Sequence, residues 1–531
     1  MTKKNKLIQV GGNILEFSEE ILDIYDYVLL PSNYDFISDN QGIEVFKNNK
    51  FNPQKLRSIF ILGKDATFLS NFPLLLEQLP AYQIIYESNS IITTSQKHIL
   101  EKKFALPISL EDKESQKFIN EFIFDNTKKQ LGYKLSMDYV EIKDSFQGVY
   151  KKNGNTSIEV SGDFGNKMNQ IAIWKMHPHG IAMNDQLAFI PEIMVLSGNI
   201  YLEFQISLID TFNDEIITVF TGTPEEFRNQ KKIVKNYSEN QRNISVSLYA
   251  KGGEGKIEIG NIHFRGHIFN NSAMIPYGTA IFDEEIRNEE LFFYFHPGDY
   301  KPPLAVYFSG YRSAEGFEGR GMMGRMGCPF ILIGDPRLEG GNFYIGSDSL
   351  EKKVIETIKE KLTWLGFTKN ELVLSGLSMG TFGSLYYAPE LEPKAVIIGK
   401  PLASIGKIAV NERISRPEMW GTSLDMVTHF SGHSSNANAE KLNQKFWNKF
   451  DKGNFNNTIF AIAYMKNDDY DGDAFELLNK SLTEHSPNVS VRYKGFIGRH
   501  NDNTIGVNRW FIKQYRNILW KYFARRIDYR L

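Results

Sequence analysis

The sequence predicts an α/β protein in which a small N-terminal α/β region and a β-sandwich precede a C-terminal α/β domain. Three features lead to this prediction. Apolar runs of strand length alternate with helical segments near the N-terminus, short β-branched and aromatic segments fill the middle of the chain, and strands and helices alternate again in the last half. The predicted boundaries place the three regions at 1–135, 136–274 and 275–531.

Length and composition are those of an ordinary multidomain protein. The chain has 531 residues, more than a single core usually supports, with 42% hydrophobic and 23% charged residues. A formal net charge of -2 argues against a protein dedicated to nucleic acid. The single cysteine, Cys328, cannot form an internal disulfide, and no continuous apolar segment follows the lysine-rich start. We therefore expect a cytoplasmic protein.

The N-terminal region is predicted as a small α/β layer, because apolar runs of strand length are separated by polar or helical segments. These runs are Lys6–Val10, Tyr27–Leu30, Ser58–Leu62 and Tyr82–Tyr86. Apolar residues at helical spacing between Leu110 and Phe124 predict a helix that docks on this sheet. Gly11 and Gly12 follow the first run, but without the rest of a phosphate-binding fingerprint they indicate a plain turn.

The middle region is predicted as a β-sandwich of the jelly-roll type, because its strands are short, rich in β-branched and aromatic residues, and separated by turn residues. The predicted strands are Ser157–Val160, Ile171–Trp174, Tyr201–Ser207, Glu215–Phe220, Ile244–Tyr249 and Lys256–Phe264. Apolar and polar residues alternate in the last two, which places one face in a core and the other in water.

Aromatic residues and histidines in the middle region have two possible roles each. Trp174, Tyr201 and Tyr249 could stack on a glycan, but aromatic residues in sandwiches mostly pack in the core. His177 and His179 resemble a metal-binding pair, but no third ligand follows nearby, so they favour a polar loop. No metal site is predicted.

The C-terminal domain is predicted to begin with strands at Glu290–Phe295, Pro303–Phe308 and Pro329–Gly334. A helix over Leu350–Leu365 follows, with Asp348 and Glu351 as its capping box. The segment 319–324 spells G-x-G-x-x-G. We expect a strand rather than a helix after it, so no helix N-terminus would be available to hold a pyrophosphate.

A G-x-S-x-G pentapeptide supplies the candidate nucleophile, Ser378. The apolar run Leu372–Leu374 before it has the length of a buried strand, and the residues after it can continue as a helix. Gly376 and Gly380 have no side chains, so strand and helix can approach closely. We therefore predict the nucleophile turn of an α/β-hydrolase fold, with a plain glycine-rich connection as the alternative.

The chain order of the remaining candidates agrees with this fold, in which an acid follows a later strand and a histidine precedes the last helix. Strand Thr458–Tyr464 leads to Asp468 and Asp469, and strand Val489–Tyr493 leads to His500. Among the histidines after Ser378, only His500 has this position. Asp468 is the first choice for the carboxylate that orients the imidazole, and Asp469 is the alternative.

These residues predict acyl transfer through a covalent acyl-serine. His500 removes the proton of Ser378, and the oxyanion is held by two backbone N–H groups. One belongs to Met379, and the other comes from the loop after Phe308 and is assigned to Tyr311. Water or a sugar hydroxyl can then attack, so the residues leave an esterase and a transferase open. Substrate-binding residues are not predicted, and no bound cofactor is expected.

A resemblance to a known family rests on the segments Gly376–Gly383, Ile398–Leu402, Ala463–Asp471 and Gly498–Asp502. Together they resemble the second accessory secretory protein of the Gram-positive accessory Sec system. The order of regions along the chain is also similar to that family.

The resemblance implies a cytosolic protein that O-acetylates N-acetylglucosamine on serine-rich-repeat adhesins and assists their export. It also implies an acetyl donor, and it implies sibling accessory secretory proteins, a dedicated Sec motor ATPase and the adhesin as partners. The matching segments bring the family's catalytic roles to Ser378, to His500 and to Asp468 or Asp469. A carbohydrate esterase and a catalytically silent export scaffold are the alternatives.

A terminal helix is predicted from Gly506 to Arg526. It combines aromatic and aliphatic residues with several arginines and lysines, so it fits either packing on the sheet or peripheral contact with a membrane surface. Both interpretations stay open on sequence alone.

Overall fold

The computed structural model describes residues 5–37, 42–47, 50–55, 57–66, 73–175, 180–312, 314–415 and 420–525. Its main sheets fall into successive stretches of the chain, 5–108, 132–266 and 278–496. His177 and His179, considered above as a metal pair, lie outside the described residues.

The N-terminal stretch forms a parallel sheet whose described strands run in the order β2-β1-β5-β6-β7. The strands are β1 (Asn5–Val10), β2 (Tyr25–Leu30), β5 (Ile59–Leu62), β6 (Ile84–Glu87) and β7 (Leu106–Ile108), with β3 (Phe46–Lys47) and β4 (Lys50–Phe51) as a separate pair. The helices are α1 (Glu19–Ile24), α2 (Pro73–Leu76), α3 (Thr94–Lys102) and α4 (Lys113–Asp125). The predicted docking of α4 is confirmed, because Ile119, Phe122 and Ile123 are buried against the sheet.

The middle stretch forms two antiparallel sheets that share one hydrophobic core. The strand orders are β10-β11-β18-β13-β16, with β8 also paired to β18, and β15-β14-β17-β12-β9. The strands are β8 (Gly132–Leu135), β9 (Val140–Ile142), β10 (Gly148–Asn153), β11 (Ser157–Asp163), β12 (Asn169–Trp174), β13 (Gln186–Ser197), β14 (Tyr201–Asp210), β15 (Ile216–Gly222), β16 (Val234–Lys235), β17 (Arg242–Lys251) and β18 (Glu254–Gly266), and helix α5 (Pro224–Arg228) lies between β15 and β16.

All six strands predicted for the middle stretch are present, and the aromatic residues divide between core and surface. Trp174 is buried in the core, whereas Tyr201 is 43% exposed. The long strand β13 was not predicted, because Pro191 interrupts its pattern. The register of β13 against β18 shifts between Pro191 and Ile193, which accommodates the missing N–H.

Alternation predicts that the polar face of β18 is exposed to water, but in the structure this face is buried. Asn261, His263 and Arg265 are all buried, while Ile262 and Phe264 on the opposite face enter the core. The C-terminal stretch covers the polar face, and its carboxylates pair with the basic side chains there. Alternation therefore identified the two faces of the strand correctly but not the environment of the polar one.

The C-terminal stretch forms a mostly parallel sheet whose described strands run in the order β19-β20-β22-β21-β23-β24-β25-β26. The strands are β19 (Gly278–Asp283), β20 (Glu289–His296), β21 (Leu304–Phe308), β22 (Phe330–Gly334), β23 (Leu372–Leu377), β24 (Ala395–Gly399), β25 (Ile459–Met465) and β26 (Ser490–Phe496). The helices are α6 (Arg320–Met326), α7 (Asp348–Leu365), α8 (Met379–Tyr386), α9 (Ala388–Leu391), α10 (Ile405–Ser415), α11 (Asp425–Ser431), α12 (Asn436–Phe450), α13 (Ala474–His485) and α14 (Thr504–Phe523).

Helices cover both faces of this sheet. Buried residues of α7, α8, α10, α12 and α13 join one hydrophobic cluster, and those of α6 and α14 join another on the opposite face. Phe511, Tyr515 and Ile518 of α14 are fully buried there, so this helix packs on the sheet. Arg526, the predicted end of the terminal helix, lies outside the described residues. Within the described ranges, no helix combines the length and the apolar composition that a membrane crossing requires.

Two local expectations are wrong. The G-x-G-x-x-G segment does not precede a strand directly, because it forms most of helix α6 itself, after Gly319 takes a φ of 82°. The N-cap of α7 is Ser347 rather than Asp348, and its side chain accepts a hydrogen bond from the Leu350 N–H at 3.1 Å.

His263 is the centre of a buried ionic contact between the middle stretch and the C-terminal stretch. Its Nδ1 lies 2.5 Å from a carboxylate oxygen of Glu315, and its Nε2 lies 3.0 Å from one of Glu192. Burial acts to lower the pKa of His263, but the two carboxylates outweigh it and raise the pKa to about 9. An imidazole that faces a carboxylate at both nitrogens is held as the doubly protonated cation.

We predict that His263 makes stability depend on pH. Its pKa rises from 6.5 to about 9 on folding, so its stabilising contribution is complete below pH 6.5 and is lost as the pH rises through 9. The difference in unfolding free energy between the wild type and His263→Gln should therefore shrink between these pH values in urea titrations. His485→Gln is the control, since its Nδ1 faces the Ser481 carbonyl oxygen. If the difference in unfolding free energy stayed constant with pH, it would contradict the assignment of His263 as the titrating group.

Candidate active site

The turn between β23 and α8 holds Ser378 in a strained conformation. Ser378 has φ 51° and ψ -123°, values that a residue with a side chain rarely adopts. A Cβ atom on Gly376 would overlap the Gly380 carbonyl, and one on Gly380 would overlap the Phe308 carbonyl. Both glycines are therefore needed for the close approach of β23, α8 and β21, as the pentapeptide predicted.

A continuous hydrogen-bonded chain links Ser378, His500 and Asp468. The hydroxyl oxygen of Ser378 lies 2.8 Å from Nε2 of His500, and Nδ1 of His500 lies 2.8 Å from Oδ2 of Asp468. His500 is 1% exposed. The structure thus brings together Ser378, His500 and the first choice for the acid, although they come from three separate strand ends.

The two neighbouring aspartates have different partners. Asp468 contacts the imidazole, whereas Oδ1 of Asp469 accepts the backbone N–H of His500 at 2.9 Å. Asp468 is therefore placed to orient the ring, and Asp469 is placed to hold the loop that carries it. The ring of Tyr470 stacks on the imidazole, with a centroid distance of 4.1 Å and an interplanar angle of 5°.

The environment of Asp468 favours its charged form. Burial acts to raise the pKa of this carboxyl group, but the hydrogen bond and charge of His500 outweigh it, so the pKa falls below its usual value. The backbone N–H groups of Tyr470 and Asp471 add to this effect, at 2.9 and 3.3 Å from Oδ1. An ionised Asp468 can accept the Nδ1–H of His500, which leaves Nε2 free to take a proton from Ser378.

The two predicted oxyanion donors border the same cavity as Ser378. Met379 is the first residue of α8, and the first N–H groups of a helix have no partner within the helix. Tyr311 follows β21, and the N–H of the preceding Gly310 donates to Oε2 of Glu318 at 2.7 Å. Because that bond already uses the Gly310 N–H, Tyr311 is the candidate donor from this loop.

The cavity above Ser378 has a volume of about 420 Å³. Its lining comes from the loop after β21, the segment between β22 and α7, the turn at Ser378, the segment between β24 and α11, and the segments after β25 and β26. The lining residues are Gly310, Tyr311, Glu318, Gly341, Phe343, Leu377, Ser378, Met379, Lys400, Leu402, Ile408, Glu412, Trp420, Tyr470, Asn501, Thr504, Val507 and Asn508. Aromatic rings and hydrogen-bonding groups thus line one space, as in sites for small polar ligands.

Lys400 is a site residue that sequence reasoning missed. It follows β24 with φ 62°, is 6% exposed, and donates from Nζ to the Thr504 hydroxyl at 2.9 Å. Burial lowers its pKa, against the charges of Asp468 and Asp502. An ammonium group has three donors, so Lys400 can also donate to a ligand in the cavity. Its position directly after a strand that neighbours β23 was the available signal.

The other histidines after Ser378 lie in different surroundings. His429 contacts Arg287 and Glu289, His433 contacts Asn438, and His485 contacts the Ser481 carbonyl. Among the described residues, no group of three or more histidine, cysteine or acidic side chains is arranged to hold a metal ion.

Comparison with known proteins identifies the family. The sequence profile of the family described as "Accessory Sec system GspB-transporter", that of accessory secretory protein 2, matches residues 6–525. The chain belongs to this family. The resemblance found in the sequence motifs is therefore confirmed over the full length.

Relatives from several organisms share the whole chain. The accessory Sec system protein of this family from Staphylococcus aureus is 36% identical over 528 residues, which cover 99% of this chain and 98% of the relative. The protein from Streptococcus gordonii is 32% identical over 545 residues, which cover 99% and 100%. A solved structure from Streptococcus agalactiae, titled "Glycosylation Associate Protein (Gap123) complex", is 33% identical with a TM-score of 0.79, covering 98% of this chain and 99% of that one.

We predict that the two aspartates differ in their effect on activity. Asp468→Asn should lower turnover by up to about 10⁴-fold, because the amide would favour the wrong imidazole tautomer. Asp469→Asn should have a smaller effect, since its oxygen can still accept the His500 N–H. Ester hydrolysis by the two purified variants provides the measurement, with circular dichroism to confirm folding. A larger loss in Asp469→Asn would make Asp469 the acid.

Proposed function

We propose that the chain is an O-acetyltransferase that uses Ser378, His500 and Asp468 to acetylate N-acetylglucosamine on serine-rich-repeat adhesins during their export. The observation that carries the proposal is the Ser378–His500–Asp468 hydrogen-bonded chain at a strained turn that opens on a cavity. Membership of the accessory Sec family supplies the biological setting.

The first half-reaction transfers the acetyl group to the enzyme. His500 Nε2 takes the proton of Ser378, and Oγ attacks the carbonyl carbon of the acetyl donor. The N–H groups of Met379 and Tyr311 stabilise the oxyanion, and Asp468 stabilises the imidazolium. The leaving group departs with the proton from His500, and an acetyl ester of Ser378 remains.

The second half-reaction transfers the acetyl group to the acceptor. His500, now neutral again, takes the proton of a sugar hydroxyl, whose oxygen attacks the acetyl-serine carbonyl. Collapse of the second oxyanion releases the acetylated sugar and returns the proton to Ser378. The same steps with water give an esterase, so the acceptor that the cavity admits decides the outcome.

The cavity supports a sugar as the acceptor. Its volume of about 420 Å³ is in the range of small-ligand sites. Trp420 and Phe343 offer aromatic faces, and Lys400, Asn501 and Asn508 offer polar groups for hydroxyl and amide oxygens.

The fold assignment supports acyl transfer as well. The order of the strands in the C-terminal sheet and the strand–turn–helix at Ser378 agree with an α/β-hydrolase fold for 275–531. The proposed domains are 1–135, 136–274 and 275–531. Strand β8 (Gly132–Leu135) lies before the first of these boundaries but pairs with β18 of the predicted sandwich.

The proposed partners are the sibling accessory secretory proteins, the accessory Sec motor ATPase and the adhesin, and the proposed location is the cytoplasm, with at most peripheral contact with the membrane. The related structure from Streptococcus agalactiae is titled a complex, which supports assembly with other proteins. Two alternatives remain as outcomes of the experiments below, a carbohydrate esterase and a catalytically silent export scaffold.

We predict that Ser378→Ala abolishes both labelling by a fluorophosphonate probe and acetyl transfer to an N-acetylglucosamine glycoside. The wild type should do both, with p-nitrophenyl acetate as the donor. The melting temperature should change little, because the hydroxyl serves the chemistry rather than the packing. Labelling without transfer would identify an esterase, and an unlabelled wild type would identify a scaffold.

We also predict that chemistry and export are separable. Removing one hydroxyl leaves the outer surface of the protein unchanged, so Ser378→Ala should still bind its partners. In cells, the adhesin should lose its acetyl groups but reach the surface, whereas deletion of the whole protein should block export. Mass spectrometry of the glycans and surface immunoblotting provide separate readouts. If a folded, partner-bound Ser378→Ala blocked export as deletion does, acetylation itself would be required.

A further inference from the structure

The loop between β21 and α6 carries Tyr311, the second of the two candidate oxyanion donors. We call its described residues, 309–312 and 314–318, the oxyanion loop. One carboxylate in this loop, Glu318, accepts the Gly310 N–H at 2.7 Å and so holds the start of the loop from within the C-terminal domain. A second carboxylate, Glu315, makes its contacts outside that domain.

Glu315 forms buried ion pairs with the polar face of β18. Its Oε1 lies 2.5 Å from Nδ1 of His263, and its Oε2 accepts the Nε–H of Arg265 at 2.6 Å. The side chain of Glu315 is only 3% exposed, and those of its partners are 1% and 2% exposed. Removing one member of such a pair leaves a buried charge without its partner, so these contacts strongly favour one loop position.

A neighbouring contact from outside the domain holds the same loop. The side-chain amide of Gln130 accepts the Phe317 N–H at 2.5 Å and donates to the Phe317 carbonyl at 3.1 Å. The loop is thus fixed at Glu315 and Phe317 by residues that precede the C-terminal domain, and at Gly310 by its own domain.

We propose that the middle stretch of the chain positions the oxyanion hole. Glu315 is the positioning residue, because its ion pairs with His263 and Arg265 fix where the Tyr311 N–H lies. This inference rests on the proposed acyl-transfer function. Glu315 is only four positions after Tyr311 in the chain, so a shift of its ion pairs moves the donor. A misplacement of about 1 Å can cost about 100-fold in rate, and loss of one oxyanion donor costs about 10²- to 10³-fold.

The chain offers a matched control for this idea. Arg265 pairs with two buried carboxylates, Glu315 in the oxyanion loop and Glu290 in strand β20. The side chain of Glu290 is 2% exposed, against 3% for Glu315. Glu315→Gln and Glu290→Gln therefore each remove one carboxylate charge that pairs with Arg265, at similar burial. Only Glu315→Gln changes a residue of the oxyanion loop.

The experiment compares the steady-state hydrolysis of p-nitrophenyl acetate by the full-length wild type and the two variants. Glu315→Gln should lower kcat about 10- to 100-fold with KM changed by less than about threefold, because oxyanion stabilisation acts on the transition state. Glu290→Gln should keep kcat within about threefold of the wild type, even if its melting temperature falls as much as that of Glu315→Gln. The pH profile of fluorophosphonate labelling should keep its shape in both variants, because the Ser378–His500 contact is unchanged.

A second variant keeps the test decisive if Glu315→Gln does not fold. His263→Gln removes a partner of Glu315 on β18 without changing any residue of the oxyanion loop. It should therefore also lower kcat at unchanged KM. If Glu290→Gln had the same kcat as the folded variants at positions 315 and 263, or as His263→Gln alone where Glu315→Gln does not fold, the inference would be overturned and the proposed function would stand. An unlabelled and inactive wild type would overturn the proposed function and this inference with it.

Discussion

The close approach of three backbone segments at Ser378 is the constraint on which the site depends. Gly376 and Gly380 allow β23, α8 and β21 to meet at distances that a Cβ atom would prevent. Ser378 is held at φ 51° as a result, and the strain places its hydroxyl within reach of His500. The packed sheet and the helices on both of its faces maintain this conformation, so the large hydrophobic core supports the geometry of the site.

Buried charge between the middle stretch and the C-terminal stretch is the second organising feature. Ion pairs in low-dielectric surroundings contribute little net stability compared with apolar packing, but their loss is costly once they are formed. Here they join β18 to the oxyanion loop and to β20. Because separating such a pair would leave a buried charge without a partner, the contact favours one relative arrangement of the two regions.

Local patterns predicted most strands and the order of the site residues but not every environment. Periodicity located each strand of the C-terminal sheet from β20 to β23 to within a few residues, because apolar runs between turn residues reflect local backbone preferences. The same reasoning missed β13, where Pro191 breaks the pattern, and misjudged α6, whose glycines are tolerated in a short helix. It also placed the polar face of β18 in water, since nothing in a single strand shows what covers it.

For the site, the sequence by itself determined a candidate nucleophile, a candidate histidine and a pair of candidate acids. The motif at Ser378 and the chain order of strand ends are local properties that need no tertiary contact to be recognised. Only the tertiary structure distinguishes the contacts of Asp468 from those of Asp469, because adjacent residues point in different directions and only one carboxylate reaches Nδ1. The contacts of Lys400 and Glu315 likewise join segments far apart in sequence, and such distances exist only once the chain has folded.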